Sequence, residues 1–123
     1  MPLRVEFMVA SSYGDGTTTS GNVKVKLDVD QNLEGKHVIL VDDIIDSGVT
    51  FAAISAMLKE RKPASLKTVA LCDKAERRIN GFDVDYVGFV IPDEFVVGYG
   101  LDYDEKYRNL PFVGILKPEV YTK

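Results

Sequence analysis

Two stretches near the start of the chain alternate between apolar and polar side chains. Val5 to Ala10 places apolar residues at every second position, and Val23 to Leu27 does the same. A period of two is typical of strands with one exposed face. Between them, Ser12–Gly21 is small, polar and rich in glycine, which indicates a mobile loop. The pattern predicts an antiparallel ribbon with a long, flexible tip.

Continuous apolar runs follow the ribbon. His37–Val41 is apolar and mostly β-branched, which is typical of a strand buried on both faces of a parallel sheet. Thr50–Arg61 has helical spacing, and Leu66–Leu71 and Asp85–Ile91 read as further strands. A strand, a helix and a strand form a parallel crossover unit. The predicted fold is therefore α/β, with an open, mostly parallel sheet, flanking helices and the antiparallel ribbon near the N-terminus.

Composition narrows the class of protein. The chain has 123 residues and a net charge of −4, which suits one domain over 1–123 and gives no basic stripe for nucleic acid. A single cysteine, Cys72, and a single histidine, His37, exclude an internal disulfide and a Cys/His zinc site; we interpret both as structural. No apolar run approaches the roughly 18 residues of a membrane span. We expect a cytoplasmic protein with no membrane or nucleic-acid partner.

Chemistry concentrates in the stretch from Val38 to Thr50. A buried strand ends in Asp42 and Asp43, and a short loop with Asp46 then leads into a helix. Unpaired N–H groups at a helix start attract phosphate, and glycine allows the backbone to approach it closely. Carboxylates suit ribose hydroxyls or Mg²⁺ instead. The stretch predicts a ribose 5-phosphate ligand; the alternative is a simple helix cap beside two solvated acids.

The same stretch resembles the phosphoribosyl-diphosphate (PRPP) signature of type I phosphoribosyltransferases. The wider resemblance is to the hypoxanthine/guanine phosphoribosyltransferases and extends from Leu3 to Tyr121. It rests on Ser12–Gly14, Asp73–Lys74, Asp85–Phe89, Ile91–Tyr103 and Tyr107–Leu110. The block from Phe95 to Asp102 is more specific than the PRPP signature.

The resemblance implies roles for the first group of residues. Asp42 and Asp43 would bind the ribose hydroxyls and help to place Mg²⁺, although many relatives have Glu-Asp at this point. Asp46 would accept a proton near purine N7. The 5′-phosphate would be held by Ser47, Gly48, Val49 and Thr50. Ser12 and Tyr13 would begin the active-site loop.

The resemblance also implies roles farther along the chain. Lys74 would donate to the 6-oxo oxygen and so reject adenine. Phe95 would stack on the purine, and the Val96 backbone would pair with the base edge. Asp102 would ligate a second Mg²⁺, and Arg108 would contact pyrophosphate. The alternatives are a solvated Lys74 or its ion pair with Asp73 or Glu76, core packing of Phe95, and an ion pair of Arg108 with Asp104 or Glu105.

The activity that the resemblance implies is transfer of 5-phosphoribosyl from PRPP to hypoxanthine or guanine. The products would be IMP or GMP and pyrophosphate, with Mg²⁺ as cofactor, a closing loop and a homo-oligomeric enzyme. Relatives carry an N-terminal segment, with a strand and a Leu-Lys-Gly-type loop, that has no counterpart here. We therefore expect an N-terminally truncated domain with weak or no activity. The absent strand would leave its two neighbouring strands unpaired, which allows three outcomes. The strand at Val5 pairs with the strand at Val38, another chain supplies the missing strand, or the chain is part of a longer protein.

Two other classes of function stay open on the sequence. A non-catalytic protein on the same fold would bind PRPP or a purine nucleotide without turnover. A phospho-acceptor signalling domain also places acids and a lysine at strand ends, although its acid pair normally follows the first strand. Comparing nucleotide binding with turnover, and labelling with a small phosphodonor, would separate these classes.

Overall fold

The computed structural model describes residues 2–12, 23–29, 31–79 and 81–121. The chain divides into two compact units, Met1–Val90 and Ile91–Lys123. The expected single domain over 1–123 stays a prediction. Within the described ranges, no helix is both long enough and apolar enough to cross a membrane.

The first unit opens with the expected ribbon. Strand β1, Val9–Ser12, pairs antiparallel with β2, Val23–Leu27, and the register shifts between Val9 and Ala10. The predicted strand from Val5 was wrong in its position, because residues 2–8 lie outside any strand. Ser12 is accordingly the last residue of β1 rather than a loop residue, and the predicted mobile tip lies outside the described residues.

A three-stranded parallel sheet forms the centre of the first unit. Its order is β3 (His37–Ile45), β4 (Ser65–Asp73) and β5 (Tyr86–Val90), with β4 in the middle. Within the described ranges β3 is an edge strand of this sheet and β1 pairs with β2, so the suggested pairing of the Val5 segment with the Val38 strand was wrong. The predicted open parallel sheet is confirmed.

Helix α1, Val49–Lys59, makes the crossover between β3 and β4. It buries Phe51, Ser55 and Leu58, and Phe51 forms a core with Ile45 and Ala70. Gly48 precedes the helix with φ 90°, a conformation that glycine adopts without a steric penalty. The helix thus begins at the carboxyl end of β3, where α/β folds bind their ligands.

Strand β3 is not buried on both faces, contrary to the sequence prediction. Ile39 and Val41 keep 66% and 67% of their accessible surface, whereas Val38 and Leu40 on the alternate positions are half-buried. The strand also continues to Ile45, so Asp42 and Asp43 lie within it and not beyond its end. The apolar run therefore predicted the strand correctly, but the prediction that both of its faces are buried was wrong.

The second unit is built from short elements and turns. Strand β6, Val96–Val97, pairs antiparallel with β7, Gly114–Ile115, and a short helix α2 covers Pro118–Tyr121. Val96, Val97 and Leu116 are buried. Sequence patterning did not predict β6, β7 or α2, because two-residue strands and a four-residue helix are too short to show a period.

Candidate active site

Asp42 and Asp43 are adjacent acids in the C-terminal half of β3. The Asp43 amide donates to Asp42 Oδ1 at 2.8 Å, and the Ile44 amide donates to Asp43 Oδ1 at 2.7 Å. Each carboxylate therefore has a backbone donor, but like charges remain side by side. Such a pair favours a shared proton or a cation.

The environment of Asp42 shows this strain. Partial desolvation of its carboxyl, followed by the Asp43 carboxyl, raises the pKa of Asp42 to about 6. Asp42 as a whole residue is exposed, so the desolvation of its carboxyl is partial. A divalent cation at this position would replace the missing water and favour the ionised form.

The loop between β3 and α1 forms a pocket with Asp42. The Val49 amide donates to Ser47 Oγ at 3.4 Å, and the Ala52 amide donates to the Gly48 carbonyl at 2.9 Å, which starts the helix. The pocket has a volume of about 220 Å³. Its lining residues come from the strand end, the loop and the first helical turn: Asp42, Ile44, Ile45, Asp46, Ser47, Gly48, Thr50 and Phe51.

A second depression lies elsewhere in the unit and does not fit this chemistry. It has a volume of about 470 Å³ and is lined by residues 31–34 and 60–62. None of the residues that the sequence selected lines it, and it is not at a helix start. Volume alone would select this depression, but the donors and acids of the smaller pocket select the other.

The segment after β4 is tied to the loop after β3. The Lys74 amide donates to the Ile45 carbonyl at 3.0 Å, and the Ile79 amide donates to the Ser47 carbonyl at 3.1 Å. Arg77 Nε donates to Asp46 Oδ1 at 2.8 Å. The segment includes a 3-10 helix, Ala75–Arg77. These hydrogen bonds join the segments that follow β3 and β4.

Arg78 lies deeper in the same segment. Its guanidinium donates to the Asp73 carboxylate, the Phe82 carbonyl and, at 3.4 Å, the Asp46 carbonyl. The side chains of Arg78 and Asp73 are each only 12% exposed. Asp73 is therefore paired with Arg78, and the suggested ion pair of Lys74 with Asp73 or Glu76 does not occur among the described residues.

Phe95 belongs to an aromatic cluster in the second unit. Its ring stacks on Tyr121 at 5.4 Å between centroids and meets Tyr103 edge-on at 5.5 Å. Phe95 stays 39% exposed, and its carbonyl accepts from the Leu116 amide at 2.7 Å. The ring is thus both packed and accessible, which agrees with a stacking surface as well as with core packing. Val96, next to it, pairs with Ile115 in the β6–β7 ladder.

Asp102 and Arg108 lie in the turn region of the same unit. Arg108 donates to Glu105 Oε2 at 2.9 Å and to the Gly100 carbonyl at 2.9 Å, and it lies 3.3 Å from Asp102 Oδ2. Its hydrogen bond with Glu105 raises the pKa of Arg108. The alternative of an ion pair between Arg108 and Glu105 is therefore realised in this structure, and Asp102 is a third member.

Within the first unit, the structure brings several of the predicted site residues together. Asp42, Asp46, Ser47, Gly48 and Thr50 line one pocket, and Asp43, Val49 and Lys74 are adjacent to it in sequence or by a backbone bond. No three potential metal ligands cluster among the described residues. Tyr13 lies outside the described residues.

Arg77 and Arg78 were missed by the sequence analysis, although both contact the Asp46 loop. Three cations, Lys74, Arg77 and Arg78, fall within five positions after a strand end, and this was the available signal. The interpretation of His37 and Cys72 as structural agrees with their contacts. His37 Nδ1 lies 2.7 Å from Ser65 Oγ, and Cys72 is fully buried, which raises the pKa of its thiol.

Comparison with protein families gives one decisive match. The model of the phosphoribosyl transferase domain matches residues 1–104. The chain belongs to this family. Among curated phosphoribosyltransferases, it is 54% identical over 121 residues to the hypoxanthine-guanine phosphoribosyltransferase of Streptococcus thermophilus, covering 98% of this chain and 67% of that protein. It is 53% identical to the bifunctional protein TilS/HprT of Listeria innocua, covering 98% of this chain and 19% of that one.

Solved phosphoribosyltransferase structures agree with the fold. The hypoxanthine phosphoribosyltransferase of Staphylococcus aureus superposes with a TM-score of 0.89 at 50% identity, over 95% of this chain and 64% of that chain. The Trypanosoma cruzi enzyme in complex with the product IMP superposes with a TM-score of 0.87 at 49% identity, over 98% of this chain and 63% of that chain. The present chain thus spans just under two thirds of the length of these solved phosphoribosyltransferases.

Proposed function

We propose that this chain carries the site of a hypoxanthine/guanine phosphoribosyltransferase, which transfers 5-phosphoribosyl from PRPP to hypoxanthine or guanine. The supporting observation is the pocket that joins Asp42, Asp46 and the start of α1. It occurs in a chain 54% identical to a hypoxanthine-guanine phosphoribosyltransferase. The products would be IMP or GMP and pyrophosphate.

The phosphoribosyl group is bound by the β3–α1 loop in this proposal. The first turn of α1, with Ser47, Gly48, Val49 and Thr50, presents amides and hydroxyls to the 5′-phosphate. Asp42 and Asp43 accept hydrogen bonds from the ribose 2′ and 3′ hydroxyls. Two adjacent carboxylates would also hold Mg²⁺, which would neutralise charge on the departing pyrophosphate when bound.

The purine is recognised by Asp46 and Lys74. Asp46 accepts the proton that the base loses at its imidazole edge as a ring nitrogen attacks C1 of the ribose. Lys74 donates to the 6-oxo oxygen, so adenine, which presents an amino group there, loses this bond and places donor against donor. Both residues are on loops tied together by backbone bonds.

The second unit contributes the remaining assignments. Phe95 stacks on the purine, and the Val96 backbone pairs with its edge. Asp102 would hold a second Mg²⁺, and Arg108 binds pyrophosphate. Arg108 exchanges its bonds with Glu105 and Asp102 for phosphate oxygens on binding, which its planar fork permits. Ser12 and Tyr13 belong to the loop that closes over the substrates. A homo-oligomer in the cytoplasm completes the proposal.

Turnover and binding test this function together. The wild-type chain is mixed with hypoxanthine or guanine, PRPP and Mg²⁺, and nucleotide formation is followed spectrophotometrically, with IMP binding measured by calorimetry. Asp46→Asn should lower kcat by about 10²- to 10⁴-fold, because it removes the proton acceptor. Asp83→Asn, an exposed acid outside the pocket, is the matched control and should leave kcat unchanged.

The outcomes separate the two candidate functions. Turnover that depends on Asp46 supports the transferase. IMP binding without turnover in the wild-type chain supports the non-catalytic nucleotide-binding alternative, which the intact phosphate pocket alone would permit. Failure to bind or convert any of these ligands contradicts the proposed function.

A further inference from the structure

Arg78 lies in the connection between β4 and β5, but its guanidinium bonds reach beyond that connection. A guanidinium with only 12% of its side chain exposed loses most of its hydration, so its donors need partners within the protein. It finds them in three separate segments: Asp73 at the end of β4, Phe82 before β5, and the Asp46 carbonyl after β3. One side chain therefore links the carboxyl ends of β3 and β4 to the connection that leads into β5.

The guanidinium also fixes how these segments are spaced. Its donors form a rigid, planar fork, so acceptors bound to one guanidinium cannot move independently. Two backbone bonds lie on either side of it, from the Lys74 amide to the Ile45 carbonyl at 3.0 Å and from the Ile79 amide to the Ser47 carbonyl at 3.1 Å. The loop with Asp46 and the loop with Lys74 are thereby held as one piece.

The spacing matters for the base and less for the sugar phosphate. A 6-oxopurine presents N7 and its 6-oxo oxygen side by side on one edge, so a single placement must satisfy Asp46 and Lys74 together. The 5′-phosphate instead meets amides at the start of α1, which α1 itself holds in position. A change in the distance between the two loops thus affects base recognition first.

We propose that Arg78 is a positioning residue for purine recognition, which sets the distance between Asp46 and Lys74 without touching the substrate. This inference rests on the proposed function. It predicts a selective defect, because loss of Arg78 separates the two loops that bind the base and leaves the phosphate-binding helix start in place.

The test compares two ligands on the full 123-residue chain. Calorimetry measures the affinities of IMP and of ribose 5-phosphate for the wild type, Arg78→Gln and Arg78→Lys. We expect Arg78→Gln to weaken IMP binding by about tenfold or more, as for other misplacements near 1 Å, and to change ribose 5-phosphate binding by less than about twofold. Arg78→Lys keeps the charge beside Asp73 but lacks the fork, so it should regain thermal stability without regaining the IMP preference.

Arg61→Gln is the matched control. Arg61 also pairs with a carboxylate, Asp28, and donates to a carbonyl, Val29, but it lies at the end of α1 away from the strand-end loops. It should leave the ratio of the two affinities unchanged. A ratio equally changed by Arg61→Gln, or unchanged by Arg78→Gln, overturns the proposal.

Amide hydrogen exchange gives a second readout that needs no ligand. Arg78→Gln should speed exchange at the Lys74 amide, which bonds the end of β3, and less at the Ile79 amide, whose acceptor residue Ser47 is also held by the Val49 amide. Unchanged exchange at both amides overturns the proposal even if IMP affinity falls. If the wild type binds neither IMP nor ribose 5-phosphate, the proposed function fails, and the role of Arg78 in purine recognition fails with it. If the wild type binds both ligands and Arg78→Gln leaves the ratio of the two affinities unchanged, only the role of Arg78 is rejected.

Discussion

In the unit Met1–Val90, the loop with Asp46 is held by a parallel sheet and a buried guanidinium, whereas in Ile91–Lys123 the segment from Gly98 to Arg108 is held by turns and exposed ion pairs. Arg78 is 12% exposed and Arg108 is 49% exposed, although each binds a carboxylate and a carbonyl. The same residue type thus serves two kinds of construction. Burial fixes one in place, and exposure leaves the other free to exchange partners.

The backbone differs between the two units as sharply as the side chains. Among the described non-glycine residues, positive φ occurs once in the first unit, at Lys62, and four times in the second, at Tyr99, Asp104, Glu105 and Tyr107. Each such residue costs on the order of 1 kcal/mol or more, and it persists only where the surrounding structure imposes it. The second unit therefore stores conformational strain in its turns, where the first unit concentrates charge in its loops.

The largest loss of stability is expected from a substitution at Gly98, in the strained turns of the second unit. Its φ is 97°, and an added Cβ would lie 2.0 Å from the Phe112 carbonyl oxygen. Gly98→Ala should cost about 4 kcal/mol or more, because a strained backbone and a backbone clash act together. Urea unfolding followed by tyrosine fluorescence measures the loss, since the chain has no tryptophan.

Gly100→Ala is its matched control. Gly100 has an almost identical φ of 98°, but its added Cβ would meet nothing within 4 Å. It should lose only about 1–2 kcal/mol, the cost of the backbone conformation alone. Equal losses in the two variants would mean that strain, and not close approach to Phe112, decides the stability of the turn.

The next largest effect compares the two ion pairs directly. Asp73→Asn leaves the Arg78 guanidinium buried without its counter-charge and should cost about 3 kcal/mol in the free energy of unfolding. Glu105→Gln removes an exposed partner of Arg108 and should cost less than about 1 kcal/mol, a loss that added salt reduces further. Denaturation at two salt concentrations distinguishes them. Similar costs, or similar salt dependence, would show that burial does not separate the two arginines.

The same contrast explains what could be predicted from the sequence. The parallel sheet, α1 and the acids at the end of β3 follow from local patterns, because apolar runs and helix starts are written in consecutive residues. The exposure of Ile39 and Val41 does not follow, because it depends on what covers a face and not on the face itself. A pattern can thus predict that a strand has apolar faces without predicting whether other residues pack against them.

The site shows the same limit. Asp42, Asp43, Asp46 and the proposed phosphate loop form one continuous stretch and were selected by physical reasoning, whereas roles for Lys74 and Phe95 were proposed through family resemblance. Arg78 escaped both, since its three acceptors come from segments separated in sequence by 5, 4 and 32 residues. Contacts between strand ends appear only when the sheet is assembled, so positioning residues are harder to predict than ligands on a motif.

The smallest change in stability is expected at an acid that lies beside another acid, in comparison with an acid that lies beside an arginine. Asp42 lies beside Asp43, and desolvation followed by that neighbour raises the pKa of Asp42 to about 6, above the value of roughly 4 in the unfolded chain. The folded protein therefore binds this proton more tightly than the unfolded chain, so its stability falls as pH rises from about 4 to about 6 and the penalty is complete above that range. Asp42→Asn should be more stable than the wild type at pH 7 and equal to it below about pH 4.

Asp102→Asn is the control for that change, because the Asp102 carboxylate already has the Arg108 guanidinium at 3.3 Å and the Glu105 amide at 2.9 Å. It should gain no stability at pH 7, since it loses favourable partners and relieves no repulsion. Thermal unfolding between pH 3.5 and 8 gives both profiles. If Asp42→Asn follows the wild type at every pH, the acid pair is not under strain. The two units would then still differ in burial and in backbone strain, but the first would not carry an acid pair that a cation could relieve.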